Sequence, residues 1–356
     1  MALLDNYLKQ IGALSHTAGK SAAWLKAHEK ISSDLNKALS GFNDLVFAIP
    51  IFGGSADKYT DIQPWHHIFF EAEQDLDSSI ILLLTGFYKD SFRSMRSFLE
   101  LYILALYYFV NEDKNSFKNW LQGKTDTPRF SELLRTLSEK NKKIKTLNQN
   151  LKWNTEVRSL YKELSGFMHT GGALRTHTSL RNSNMTSFSE IGIETGVEFL
   201  LKVIRLTGMV FVVNFPMSFQ PLPLFDKFAF NQPAGGFLED DQVDRIKAIF
   251  QDDILKELSA IPLSDDDSIS LADCVRSMPD LSEQEIFDSL MKTLESDPFT
   301  NSKERIFKMI SDNKFEEAFT YVRAIQRAMM RTMTMVLFNP FHDELSVHKN
   351  VTLTSK

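Results

Sequence analysis

The sequence predicts an all-α fold, and three observations carry that expectation. Apolar residues recur at spacings of three and four along most of the chain, no segment sustains a period of two, and Gly and Pro gather between the periodic segments. Of the 356 residues 43% are apolar and 29 are Phe, which is enough for a large packed interior. Charged residues make up 24%, an ordinary share for a globular chain.

The elements follow in order. Leu3 to Leu45 reads as one long helix or two shorter ones, stopped at Ile49-Pro50. Residues 51–60 carry Gly53, Gly54, Ser55 and Asp57 and read as a loop, with a helix starting at Asp61–Pro64. From Ser91 onward Phe92, Met95, Leu99, Ile103 and Leu106 fall on one stripe, an arc of roughly 80° at ~100° per residue. Short helices follow at Phe117–Gly123 and Phe130–Leu137. Asn141–Lys152 is polar and basic and reads as a loop or a frayed helix end. Thr155–His169 is a helix stopped by Gly171-Gly172, and Thr176–Ser187 is an exposed loop. Glu190–Asn214 is a long helix that ends before Pro216. Pro216, Pro221, Pro223, Pro233 and Gly235-Gly236 then mark an irregular linker. Helices are expected at Asp240–Ala260, Ser282–Ser296 (opened by a Ser282/Glu285 capping box) and Lys314–Phe338, with Val347–Leu353 as a lone short strand. This gives N-terminal helices and a loop over 1–60, a helical bundle over 61–215, a linker over 216–238 and an acidic helical domain over 239–356.

Composition excludes several classes. Cys274 is the single cysteine, so no intrachain disulfide and no cysteine-held metal cluster can form, and a reducing, cytoplasmic setting is expected. Met1–Asn6 does not read as the start of a signal peptide. The longest apolar run, Leu101–Val110, is far shorter than the ~20 residues of a bilayer span, so no membrane partner is expected. The net charge of -6 is unevenly spread. Residues 239–297 hold 17 acidic against 5 basic residues, while 118–158 hold 10 basic against 4 acidic. The basic stretch, with Lys140, Lys142, Lys143, Lys145 and Lys152, offers a path for RNA or a surface for self-association, and a homodimer is expected.

Known catalytic patterns are missing. Gly19-Lys20-Ser21 lacks the earlier glycine of a phosphate loop and sits in a helical pattern. There is no dinucleotide fingerprint, no His-Glu-x-x-His helix, no Gly-x-Ser-x-Gly elbow and no Glu-x-x-His pair of a di-iron bundle. No cofactor is expected. His66-His67 are adjacent, so a helix points them ~100° apart and they make poor co-ligands. Asp265-Asp266-Asp267 reads as a solvated loop that could touch a divalent cation, but no metal site is expected.

Two polar constellations remain. Arg93, Arg96 and Glu100 cluster within ~60° on the Ser91 helix, beside its apolar stripe, and Arg96 and Glu100 are spaced to pair. Tyr161, Ser165 and His169 are each four residues apart on a face turned away from Trp153, Leu160, Leu164 and Phe167. That face either meets solvent or packs on another helix. His169 is either a helix-terminal cap or a general acid or base, and Arg175 and His177 are spaced to join it.

The phrase Thr85-Gly-Phe-Tyr-Lys-Asp-Ser-Phe-Arg-Ser-Met-Arg-Ser-Phe-Leu-Glu100, followed by Tyr161-Lys-Glu-Leu-Ser-Gly-Phe-Met-His169, resembles bacterial proteins of the HEPN superfamily (higher-eukaryote and prokaryote nucleotide-binding domain). The resemblance covers about residues 64–214. It implies a HEPN-like four-helix bundle, a setting in phage defence or toxin–antitoxin systems, and in many members a metal-independent ribonuclease. Those ribonucleases carry an Arg with a His shortly after it, and no Arg in this chain has a His at that spacing. Two readings follow. The first is a non-catalytic or regulatory helical protein that binds a partner. The second is a HEPN-type ribonuclease in which His169 is the general base, Arg93 or Arg96 stabilises the phosphorane, and Glu100, Tyr161 and Ser165 complete the site.

Overall fold

A computed structural model describes residues 2–47, 66–111, 114–168, 172, 175–176, 179–180, 187–229, 238–282, 284–286 and 288–289. Among these the regular structure is helical, and the only β-type contact is an isolated bridge between Pro221 and Leu238. The all-α expectation stands. The expected helix over Lys314–Phe338 and the strand over Val347–Leu353 lie outside the described residues, as do the loop over 51–60 and the helix start at Asp61–Pro64.

Thirteen α-helices are described. They are α1 Ala2–Ala27, α2 Glu29–Phe47, α3 His66–Leu84, α4 Tyr88–Asn111, α5 Lys114–Leu121, α6 Phe130–Lys140, α7 Lys142–Leu151, α8 Trp153–Met168, α9 Glu190–Asn214, α10 Leu224–Phe228, α11 Asp240–Lys247, α12 Asp252–Ala260 and α13 Asp266–Ser277. Residues 1–221 and 234–272 form one compact unit, and 222–233 with 273–356 form a second. Within the second unit, Lys227 pairs with Asp280 at 2.6 Å, and the Leu281 amide donates to the Asp226 carbonyl at 2.7 Å.

The first unit is organised around α4, which packs on α3, α6, α8 and α9. Its stripe of Phe92, Met95, Leu99, Ile103 and Leu106 is fully buried, as the spacing requires. α3 and α4 form a helical hairpin. Gly86, at φ +87°, ends α3: its amide donates to Leu83 O at 3.3 Å, and the Phe87 amide donates to Leu82 O at 2.9 Å. This pair of bonds is a Schellman cap, and its left-handed residue favours glycine. α9 docks through Tyr88, whose hydroxyl accepts from the Ser189 amide at 2.8 Å while Ser189 caps α9. α8 docks on α9 through Trp153, a fully buried indole whose Nε1 donates to Leu206 O at 2.8 Å.

Two expectations about secondary structure need correction. Asn141–Lys152 is neither loop nor frayed end but the helix α7. Its polar composition hides a two-residue anchor, since Ile144 and Leu147 are buried on one face. Asn141 caps the helix by accepting from the Lys143 and Ile144 amides, and Lys152 ends it at φ +52°. Asp240–Ala260 is two helices, with the break at residues 248–251. The region read as Leu3–Leu45 is likewise two helices, α1 and α2. The Ser282/Glu285 capping box is present, with Ser282 N donating to Glu285 Oε2 at 2.8 Å.

α11 lies close against α2. A Cβ on Gly41 would stand 2.2 Å from Arg245 O, a backbone atom that cannot swing away. Beside it Arg245 Nε donates to the buried Asp44 carboxylate at 2.5 Å, and its Nη1 pairs with Asp241 at 2.7 Å. Gly41→Ala is therefore expected to push α2 from α11 and lower stability by about 1–3 kcal/mol, the usual cost of overpacking. Urea denaturation checks this, and an unchanged midpoint would mean that the contact is not tight.

Candidate functional site

Helices α4, α6 and α8 bring part of the sequence-derived set together. Arg96, from α4, donates through Nη2 to Glu100 Oε1 at 2.7 Å and to Tyr161 Oη of α8 at 2.6 Å. Tyr161 Oη in turn donates to Glu100 Oε1 at 2.7 Å, closing a triangle of guanidinium, phenol and carboxylate. Arg96 Nη1 donates to Met168 Sδ at the end of α8, and its Cζ stands 4.8 Å from the Tyr161 ring centroid. Phe130 of α6 stacks on Tyr161 with centroids 4.0 Å apart. The Tyr161 face of α8 thus packs on other helices instead of meeting solvent.

The electrostatics keep the phenol protonated. Burial raises the Tyr161 pKa, the bond from Arg96 pulls it down, and the bond to Glu100 pushes it up again, for a net rise. Arg96 is 16% exposed, and its buried Nε has no hydrogen-bond partner. The rest of its guanidinium is engaged inside the protein.

Other candidates fall elsewhere. Arg93 is not brought into this cluster; it pairs with Asp90 at 2.7 Å on an exposed face. Ser165 Oγ donates to Tyr161 O at 2.6 Å, a bond back to its own helix. Arg175 lays its side chain over Gly166 of α8. His169 and His177 lie outside the described residues, and so do the side chains of His66 and His67 at the start of α3.

The reading of Asp265 as part of a solvated cation-facing loop is corrected. Asp265 caps α13, with Oδ2 accepting from Ser268 Oγ at 2.5 Å and Ser268 N at 3.3 Å, and its Oδ1 pairs with Lys143. Among the described residues no group of three His, Cys, Asp or Glu side chains could hold a metal. No described helix is long and apolar enough to cross a membrane.

Sequence reading missed a groove of about 910 Å³ between α6, α7 and α8. Its basic residues are Arg135, Lys145 and Arg158, its acidic ones Glu132 and Glu139, and its amides Asn148, Gln149 and Asn154. Arg158 is preset there: Nε donates to Asn154 Oδ1 at 2.6 Å and Nη2 to Ser131 O at 3.3 Å. Asn154 Nδ2 reaches Ser138 Oγ at 3.2 Å, and its amide donates to Asn148 Oδ1 at 3.0 Å. The signal was available in the helical spacing of Ser131, Arg135 and Ser138, but it depends on α7 being a helix. Of the expected lysines, Lys145 lines the groove and Lys143 is held by Asp265; Lys140, Lys142 and Lys152 are exposed and do not line it.

The fold and this site define an all-α protein with a polar groove and an internally tied arginine. No family model, no curated protein and no solved structure matches the chain.

Two measurements test these contacts. Tyr161→Phe removes the central hydroxyl and is expected to cost about 1–2 kcal/mol in urea unfolding. In a double-mutant cycle with Glu100→Gln a coupling of about 1 kcal/mol is expected, and strict additivity would show that the triangle is not a unit. For Asp265, burial raises the pKa, but the bonds from Lys143 and Ser268 outweigh it and hold the carboxyl below its ordinary value. The linked stability is therefore present above the unfolded pKa of about 3.9 and is lost as pH falls from there through the lower folded value. Asp265→Asn should flatten stability against pH below about 4, measured by acid unfolding, and an unchanged profile counts against the link.

Proposed function

We propose that this chain is a non-catalytic helical binding protein, and that a polar segment of a protein partner, or of a second copy, occupies the α6–α8 groove. The observation that carries this reading is the engagement of Arg96. A ribonuclease arginine must be able to reach phosphate, and here the guanidinium is spent on Glu100, Tyr161 and Met168. The groove supports a protein segment over RNA, because it mixes both signs of charge along one wall with amides. It also lacks a stacking platform for bases: the nearby Phe130 and Tyr161 stack on each other. The HEPN resemblance suggests a setting in bacterial phage defence or toxin–antitoxin systems.

The second reading, a metal-independent ribonuclease, draws on one observation. α8 delivers Met168 to Arg96, and His169 is the next residue in the chain. RNA cleavage in chelator by wild type, His169→Ala and Arg96→Ala separates the two. The binding reading expects no cleavage above background by any of the three proteins. Cleavage by wild type that disappears in both variants would establish the ribonuclease instead.

A further inference from the structure

A second cavity, of about 250 Å³, lies between α8, α9 and the start of α12, away from the groove and from Arg96. α8 lines it with Glu156, Leu160 and Glu163, and α9 with Arg205, Leu206 and Met209. On α8 these positions recur at spacings of three, four and seven, and on α9 Met209 stands three and four residues after Leu206 and Arg205, so each helix turns one side to the cavity. Two carboxylates therefore line the α8 wall and a guanidinium the α9 wall, together with apolar side chains from both helices.

No ion pair closes across the cavity. Among the described residues Glu156 and Glu163 make no ion pair, and neither does Arg205. Lys202, which also lines the cavity, is paired along its own helix with Glu198 at 2.9 Å. Arg205 Nε is buried without a hydrogen-bond partner. Burial lowers the Arg205 pKa, and the attraction of Asp253 and Asp34 does not restore it, so the cation is under-compensated where it stands. A half-buried guanidinium with an unpartnered Nε, in one cavity with two carboxylates and apolar side chains, is an arrangement that a single bridging molecule would complete.

We propose that this cavity binds a small zwitterion with an apolar body, an α-amino acid of about leucine or methionine size, its carboxylate on Arg205, its ammonium toward Glu156 and Glu163, and its side chain against Leu160, Leu206 and Met209. The volume has room for roughly eight waters at ~30 Å³ each, and so for one molecule with about that many heavy atoms. Arginine grips a carboxylate through two parallel N–H donors, which sets the ligand's direction. The site is separate from the groove, so its occupancy does not depend on whether the chain binds a protein partner or cleaves RNA.

Calorimetric titration of the full chain with L-leucine, L-methionine, leucinamide and N-acetyl-L-leucine tests this. Leucine or methionine is expected to bind saturably with a Kd at or below ~1 mM. Leucinamide and N-acetyl-leucine, each lacking one charge, are expected to bind at least about tenfold more weakly. Arg205→Leu should lose at least about tenfold in affinity while keeping the wild-type circular dichroism. If that variant fails to fold, the double variant Glu156→Gln/Glu163→Gln carries the test and should show the same loss. No saturable binding by either amino acid, equal binding by N-acetyl-leucine, or unchanged affinity in the folded variants would overturn the proposal.

Discussion

The burial of α4 is the constraint on which the first unit depends. A helix that touches four neighbours has almost no solvent-facing surface along its middle, and Phe98 to Leu106 is nearly all inside. Any polar group on such a helix must find a partner within the protein or carry a desolvation cost. Ser91 does so by donating to Ser79 O at 2.7 Å across the hairpin, and Arg96 does so through Glu100 and Tyr161. The Schellman turn at Gly86 and the Ser189–Tyr88 contact are local devices that hold the hairpin and α9 in the positions this burial requires.

The same constraint explains why a patch that reads as chemistry in one dimension becomes a clasp in three. Arg96 sits at the edge of the α4 stripe, where the helix leaves the core and meets α8. There a charged group is half withdrawn from water, and its most favourable partners are protein groups already fixed in place. Tyr161 supplies a hydroxyl that accepts from the cation and donates to the anion, so one atom serves both ends of the ion pair. Arg93, three residues earlier and turned to solvent, keeps only a neighbour on its own helix.

The groove and the second cavity use charge in opposite ways. In the groove, Arg158 and Asn154 are tied into a network that spans three short helices, so the wall is preset and the space in front of it is open. In the cavity beside α9, Arg205, Glu156 and Glu163 line the walls together with apolar side chains and form no ion pair. The first arrangement suits an extended polar surface, and the second suits a small molecule carrying both signs of charge.

Helical periodicity and glycine and proline placement were sufficient to read the helical class, the buried stripe of α4, the span of α9 and the i, i+4 pairing of Arg96 with Glu100. These depend on neighbours in sequence, and the 3.6-residue repeat reports such neighbours directly. α7 was misread because its two buried residues are too few to outweigh a lysine- and asparagine-rich composition; packing decided it. The groove went unseen for the same reason, since its walls exist only when α7 is helical. The meeting of Arg96 with Tyr161, 65 residues away, and the lining of one cavity by Arg205 and the α8 glutamates depend on how helices dock. No local pattern encodes which face of one helix meets which face of another, because that choice is made by summed side-chain packing across the whole core.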